Sequence, residues 1–189
     1  MIIALKHNEE VKVIFDASEL HVIGLSESDL DWEGNRPYWR TDQTEHVIVY
    51  STMSVFCSDL FRYQSIIKYP LTLKSLQMET VPALVDILEE FGCLEEKGAF
   101  ESDILVLSQN EIFSIDRYRL VTRHEQFCVI DYHRLMIEES LEMIWGLSLE
   151  EQIHQVMDLR YHYIKRYLRP YFILDVRTGQ VNRLFSKQE

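Results

Sequence analysis

The run IIALKHNEEVKVIFD at residues 2–16 restricts the possible folds more than any other stretch of the chain. Apolar side chains at Ile2, Ala4, Val11, Val13 and Phe15, dominated by Val and Ile, flank the polar break His7-Asn8-Glu9-Glu10. That is the pattern of two strands joined by a turn. The break lacks an Asn-Gly or Asp-Gly pair, so the hairpin is better specified than its register. A third extended run, residues 20–25, follows Asp16-Ala17-Ser18.

What such a hairpin can belong to is bounded by size and charge. With 189 residues, 47% of them hydrophobic, the chain can bury one substantial core, and nothing marks a second domain, so residues 1–189 are read as a single domain. A formal net charge of −12 argues against a nucleic-acid or anionic-membrane partner, because neutralising phosphates requires clustered Lys and Arg. Cys57, Cys93 and Cys128 are odd in number, widely spaced and without a Cys-x-x-Cys pair. They suit buried thiols in a reducing compartment better than a disulfide frame or a zinc site, and a cytoplasmic location is expected. No apolar run reaches the roughly 18 residues of a membrane helix, and the N-terminus lacks the basic and apolar regions of a signal peptide.

Residues 26–44 are polar and acidic, punctuated by Gly34 and Pro37, and contain Trp32, Tyr38 and Trp39; they read as loop with a short strand at 38–40. A buried strand is expected at 46–50. The period then becomes helical over 53–69, with Phe56, Leu60, Tyr63 and Ile67 on one stripe before Pro70. In the next helix Thr80 is the expected cap, Pro82 lies in the first turn, Val81, Leu84, Val85 and Leu88 form the apolar face, and Gly92 closes it. An acidic connection leads to four short extended runs at 103–107, 111–115, 118–122 and 127–130, which the intervening turn residues make an antiparallel meander. A helix from about His133 to Trp145 stops at Gly146. Another opens with the capping box Ser148 and Glu151, carries Ile153, Met157, Ile164 and Leu168 on its apolar stripe, and has Lys165, Arg166 and Arg169 in its last turns. Strands at 171–176 and 181–184 end the series.

Helices in sequential pairs between blocks of antiparallel strands predict an α+β fold: a four-layer αββα sandwich of two sheets, each covered outside by a helix pair. A parallel α/β fold would alternate single helices with strands.

Order and local sequence together resemble the proteasome β-subunit and the bacterial HslV peptidase, members of the N-terminal nucleophile hydrolases. The resemblance runs from Ile2 to about Val176. It is carried by the hairpin ending in Asp16, where the family has a Gly-Asp pair, and by the strand-to-helix passage 50–61. The segments DILVLSQNEIFSID, residues 103–116, and RPYFILDV, residues 169–176, complete it. What it implies is peptide-bond hydrolysis by an N-terminal Thr, Ser or Cys whose own α-amine acts as base. With Asp16 laid on the family's aspartate, Met1 falls one place beyond the nucleophile, and neither Met1 nor Ile2 can replace it. The first Ser, Thr or Cys is Ser18, and cutting there would discard two strands. The family's lysine would fall near Trp32, and no Lys occurs between Lys12 and Lys68; Arg36 or Arg40 could supply charge. Ser51-Thr52-Met53-Ser54 stands where the family offers a Gly-rich oxyanion turn. Asp131-Tyr132-His133 replaces its Gly-Ser-Gly segment. Met1, Asp16, Trp32 and Tyr132 thus mark a degenerate cleft in which only Asp16 keeps the family's residue.

Other constellations point to bland roles. His124 and His133 flank a strand and His154 and His162 share a helix, but neither pair has metal-ligand spacing with a converging carboxylate, and no metal or cofactor is expected. Asp131, Tyr132 and His133 could form an acid/base trio, although ordinary polar residues at a strand end explain them. Tyr161, Tyr163, Tyr167, Tyr171 and Phe172 interleave with basic residues; packing or subunit contact fits the overall charge better than RNA stacking. The acidic residues of 86–103 read as a solvated helix face and loop.

Two functions remain. One is a catalytically silent, proteasome-like protein acting through self-assembly or protein binding, with the Trp32/Trp39 loop and the Tyr-rich helix as aromatic surface. The other is a peptidase or amidase in the same cleft using non-standard residues. A weaker third is a peptide-binding module that adds its ligand as an edge strand.

Overall fold

The opening hairpin forms with a two-residue turn. In the computed structural model, which describes residues 2–16, 39–40, 48–51, 70–90, 92, 94, 98–100, 103–131, 133–164, 171–178 and 180–184, β1 (Ile2–His7) pairs antiparallel with β2 (Glu10–Asp16), Ile2 opposite Phe15 and His7 opposite Glu10. Asn8 and Glu9 have φ of 49° and 64°. Two left-handed residues make the turn whose twist matches the strands, the geometry that Asn-Gly would have advertised. Asn tolerates it; Glu9 accepts it at some cost and reaches back to Lys6, 3.8 Å away.

Two five-stranded antiparallel sheets follow from the same alternation. The first has the order β10-β9-β2-β1-β8 and the second β3-β4-β5-β6-β7. Here β3 is Trp39–Arg40, β4 Ile48–Ser51, β5 Ile104–Leu107, β6 Ile112–Ile115, β7 Val121–His124, β8 Phe127–Ile130, β9 Tyr171–Asp175 and β10 Val181–Leu184. Alternate residues of β1 serve two cores. Ile2 and Ala4 pack between the sheets with Phe15, Leu105, Leu107 and Phe172. Ile3 and Leu5 face the other way, onto Ile137 and Leu141 of α2 (Arg134–Ile144) and Ile153 and Met157 of α3 (Leu149–Ile164). The far face of the second sheet buries Ile104, Val106 and Phe113 against Leu76, Leu84 and Leu88 of α1, residues 73–90. The order helix, sheet, sheet, helix pair is the expected four-layer sandwich, and strands covered on both faces read as continuous apolar runs. The expected partner of α1, residues 53–69, lies outside the described residues.

Three expectations need correction. Thr80 does not open α1: Thr72 does, its hydroxyl accepting the Ser75 N–H at 3.0 Å while the Ser75 hydroxyl accepts the Thr72 N–H at 2.9 Å. Thr80 instead ends a π-helical turn, Leu76–Thr80, between the α-helical pieces Leu73–Ser75 and Val81–Glu90. Pro82 explains the turn, because its ring displaces the carbonyl four residues back and offers it no N–H; a widened turn just before accommodates both.

The third strand of the meander starts at Val121, not at 118. Tyr118 and Leu120, which alternate like strand residues, are exposed in a turn where the Asp116 carboxylate accepts both of their N–H groups at 2.8 Å and Arg119 takes φ 73°. The fourth strand, β8, leaves the meander altogether. After Glu125-Gln126 it crosses to the other sheet and pairs with β1, Ala4 opposite Cys128. β7 exposes Thr122 and Arg123 and suits an edge, whereas β8 buries Cys128 between the sheets and Val129 against the helices. A strand apolar on both faces needs both covered, and beside β1 it has one face between the sheets and the other under the helix pair.

The helix starts obey local chemistry. At α3 the Glu151 carboxylate accepts the Ser148 N–H at 3.0 Å and the Glu151 N–H donates to the Ser148 hydroxyl, the expected capping box. Of its expected stripe, Ile153 and Met157 are buried, joined by Val156, while Leu168 lies outside the described residues.

Candidate functional site

The cleft that the resemblance implies would open at the front of β1. Its described residues are aliphatic: Ile2 and Ile3 are both fully buried, Ile2 held between Phe15 of β2 and Ile130 of β8 in register. Asp16 is the last residue of β2 and stands opposite Tyr171 of β9. Met1, Trp32 and Tyr132 lie outside the described residues, as do Arg36 and residues 52–54.

On either side of Tyr132 the polar residues start a helix. The Asp131 carboxylate accepts the His133 N–H at 2.8 Å and its carbonyl accepts the Arg134 N–H at 3.2 Å, which directs the chain from β8 into α2. His133 is the exposed N-cap and makes no capping hydrogen bond with its side chain. His154 lies 3.9 Å from Glu150, one turn away on α3. No group of three metal-ligating side chains occurs among the described residues.

One half-buried carboxylate has a structural assignment. Asp175 ends β9 beside Lys12, 3.6 Å away, and accepts the Thr178 N–H at 2.8 Å in the turn to β10. Burial pushes its pKa up, but the hydrogen bonds from Thr178 and the Lys12 charge outweigh it and hold the carboxyl below its usual range.

The most concentrated chemistry sits elsewhere, at the corner where β7 hands over to β8. Ser114 of β6 shares the inter-sheet face with Ile112, and His124 stands opposite Ile112 on β7. Ser114 Oγ and His124 Nε2 are 2.8 Å apart. Cys128 of β8 is buried nearby, and burial pushes its thiol up to about 12. Burial, then the nearby Arg134 charge, lowers the His124 pKa, so the imidazole is neutral at pH 7. Arg134 opens α2 and donates from Nε to Glu138 at 2.8 Å.

Sequence reasoning placed Cys128 correctly as a buried thiol and left His124 as an ordinary histidine. The one available signal was alternation, which puts Ser114 on the face of Ile112. It could not add Cys128, because a meander keeps β8 in the wrong sheet.

Comparison with known proteins locates the fold. No family model matches the chain, and no curated protein sequence does. Solved structures do: BPH of Thiobacillus denitrificans, determined alone and in complex with epoxomicin, is 14% identical, with a TM-score of 0.59 over 93% of this chain and 97% and 98% of the respective BPH chains. At that identity the likeness is one of architecture, and what this chain shares with BPH is its α+β sandwich fold.

Proposed function

We propose that the protein is a non-catalytic, cytoplasmic member of the proteasome/HslV-like group that acts through self-assembly or protein binding. The observation that carries this reading is the aliphatic, sealed front of β1. Ile2 and Ile3 are 0% exposed and present no hydroxyl, thiol or amine beside the strand end that carries Asp16. Without a lysine between Lys12 and Lys68 the expected means of tuning an amine base is also missing. An outward role fits the apolar groups left on α2, where Leu135 and Met143 are 75% and 87% exposed. Among the described residues no helix is long and apolar enough to cross a membrane.

Light scattering with intact-mass analysis on natively purified protein tests the reading. A dimer or larger assembly is expected, broken by Leu135→Glu combined with Met143→Glu. A wild-type monomer that captures no protein partner refutes it.

The alternative, a peptidase or amidase of the N-terminal nucleophile type with non-standard residues, is favoured by one finding: a fold neighbour was solved with epoxomicin bound. Incubation with epoxomicin separates the two readings. The silent protein shows no bound inhibitor by native mass spectrometry, whereas a stable one-to-one complex together with peptide cleavage establishes the hydrolase.

A further inference from the structure

We propose that Ser114 and His124 form a nucleophile and base pair that accepts acyl groups at a separate site in the β6–β7–β8 corner, with Arg134 selecting acyl compounds that carry a carboxylate. This site owes nothing to the front of β1, and neither reading of that cleft uses its residues.

The geometry comes first. A nucleophilic hydroxyl needs a base within about 2.6–3.2 Å, and Ser114 Oγ is 2.8 Å from His124 Nε2. Access is graded from outside inward. Arg134 is 47% exposed, Ser114 and His124 are half-buried, and Cys128 is 2% exposed behind them. Of these side chains the cation is the most open to solvent and the thiol the least.

The direction of the hydrogen bonds also favours attack. Ser114 has one proton and two neighbours that can receive it, the imidazole lone pair and the thiol sulfur. Imidazole nitrogen is much the stronger acceptor, so the hydroxyl proton goes to Nε2. The hydrogen bond then runs from Ser114 O–H to His124 Nε2. The neutral state of His124, already set by burial and by Arg134, leaves Nε2 free to take the proton.

The step balances. As Oγ bonds to the acyl carbon, its proton passes to Nε2, and the leaving group departs with that proton. Water then attacks the Ser114 ester, giving a proton to Nε2, which returns it to Oγ. The sum is acyl compound plus water to acid plus leaving group, with no other reactant. Arg134, tethered at Nε to Glu138, presents a fixed planar cation suited to a substrate carboxylate.

A fluorophosphonate probe tests the pair on the full-length protein. Oγ would bond to phosphorus, fluoride would leave, and His124 would take the proton. One adduct per chain is expected, mapping to Ser114, with a rate that rises with pH through a midpoint below 6.5, the ordinary imidazole value. Labelling should vanish in Ser114→Ala and slow by about 100-fold or more in folded His124→Gln. Cleavage of a p-nitrophenyl ester bearing a carboxylate should exceed that of its neutral analogue, and Arg134→Gln should erase the preference. Absence of an adduct on folded wild-type protein, an adduct on any other residue, or a rate indifferent to pH overturns the proposal. These outcomes are read whatever the oligomeric state, so they stand apart from the assembly reading; if His124→Gln does not fold, the wild-type mapping and pH profile still decide.

Discussion

His124 should make the stability of this protein fall on mild acidification, and His124→Gln should remove that fall. The imidazole is held below its ordinary 6.5 by burial and then by the Arg134 charge. In the unfolded chain it titrates at the ordinary value, so between the two pKa values the unfolded state binds more protons than the folded one. Stability from this group is therefore complete above 6.5 and is lost as pH drops from 6.5 towards the folded value, where the loss levels off. One proton sets the ceiling, about 1.4 kcal/mol per pH unit. The carboxyl of Asp175 is held below 3.8, so its own contribution is lost only in a lower, separate window. Urea unfolding of both proteins in steps from about pH 7.5 to about pH 5 isolates the term as the difference between two curves. The wild-type curve should drop more steeply, and Arg134→Gln should shallow the drop by letting the folded pKa rise. Parallel wild-type and His124→Gln curves would refute the claim that the corner excludes a charged imidazole.

Two further outcomes follow from the packing. Leu141 is fully buried where α2 meets the first sheet, so Leu141→Ala should cost about 2–5 kcal/mol in urea unfolding, and a loss under about 1 kcal/mol would mean that the helix layer is not docked as described. Glu9→Gly should stabilise the hairpin turn by about 0.5–1 kcal/mol, because glycine takes φ 64° without the Cβ clash; an unchanged or lower Tm would show that the ion pair to Lys6 outweighs the strain.

How far the sequence could be read depended on whether the deciding interaction was local. The hairpin, the capping box at Ser148 and the apolar stripe of α1 are set by residues within a turn or two of one another, and each formed as expected. The start of α1 was hidden because Thr80 next to Pro82 imitates a cap, while the working cap, Thr72 with Ser75, precedes a π turn that shifts the helical period. Tyr118 and Leu120 imitate strand residues only until Asp116 is seen to hold both of their N–H groups. The crossing of β8 is non-local. Nothing in Glu125-Gln126 announces it, and the cue lies in the two-faced burial of Phe127–Ile130 set against the exposed edge of β7. Of the cleft positions Met1, Asp16, Trp32 and Tyr132, Asp16 alone is described, at the strand end where the resemblance puts it.

That crossing also places polar groups where packing does not require them. Between the sheets the side chains are almost all aliphatic or aromatic, and Ile112, on the same strand face as Ser114, shows what simple packing uses there. A buried hydroxyl or imidazole left unpaired costs about 1–3 kcal/mol, and the bond between Ser114 and His124 relieves part of that cost for the half-buried pair. Such a pair is coupled: removing one member strands the other, while replacing both with apolar groups of similar shape can be nearly neutral. The fold therefore accommodates this cluster without demanding it. Stability gives no reason to prefer a hydroxyl and an imidazole 2.8 Å apart, beside a half-exposed arginine, to three aliphatic side chains. A chemical use for the corner supplies that reason, and it requires the hydroxyl, the imidazole and the cation together.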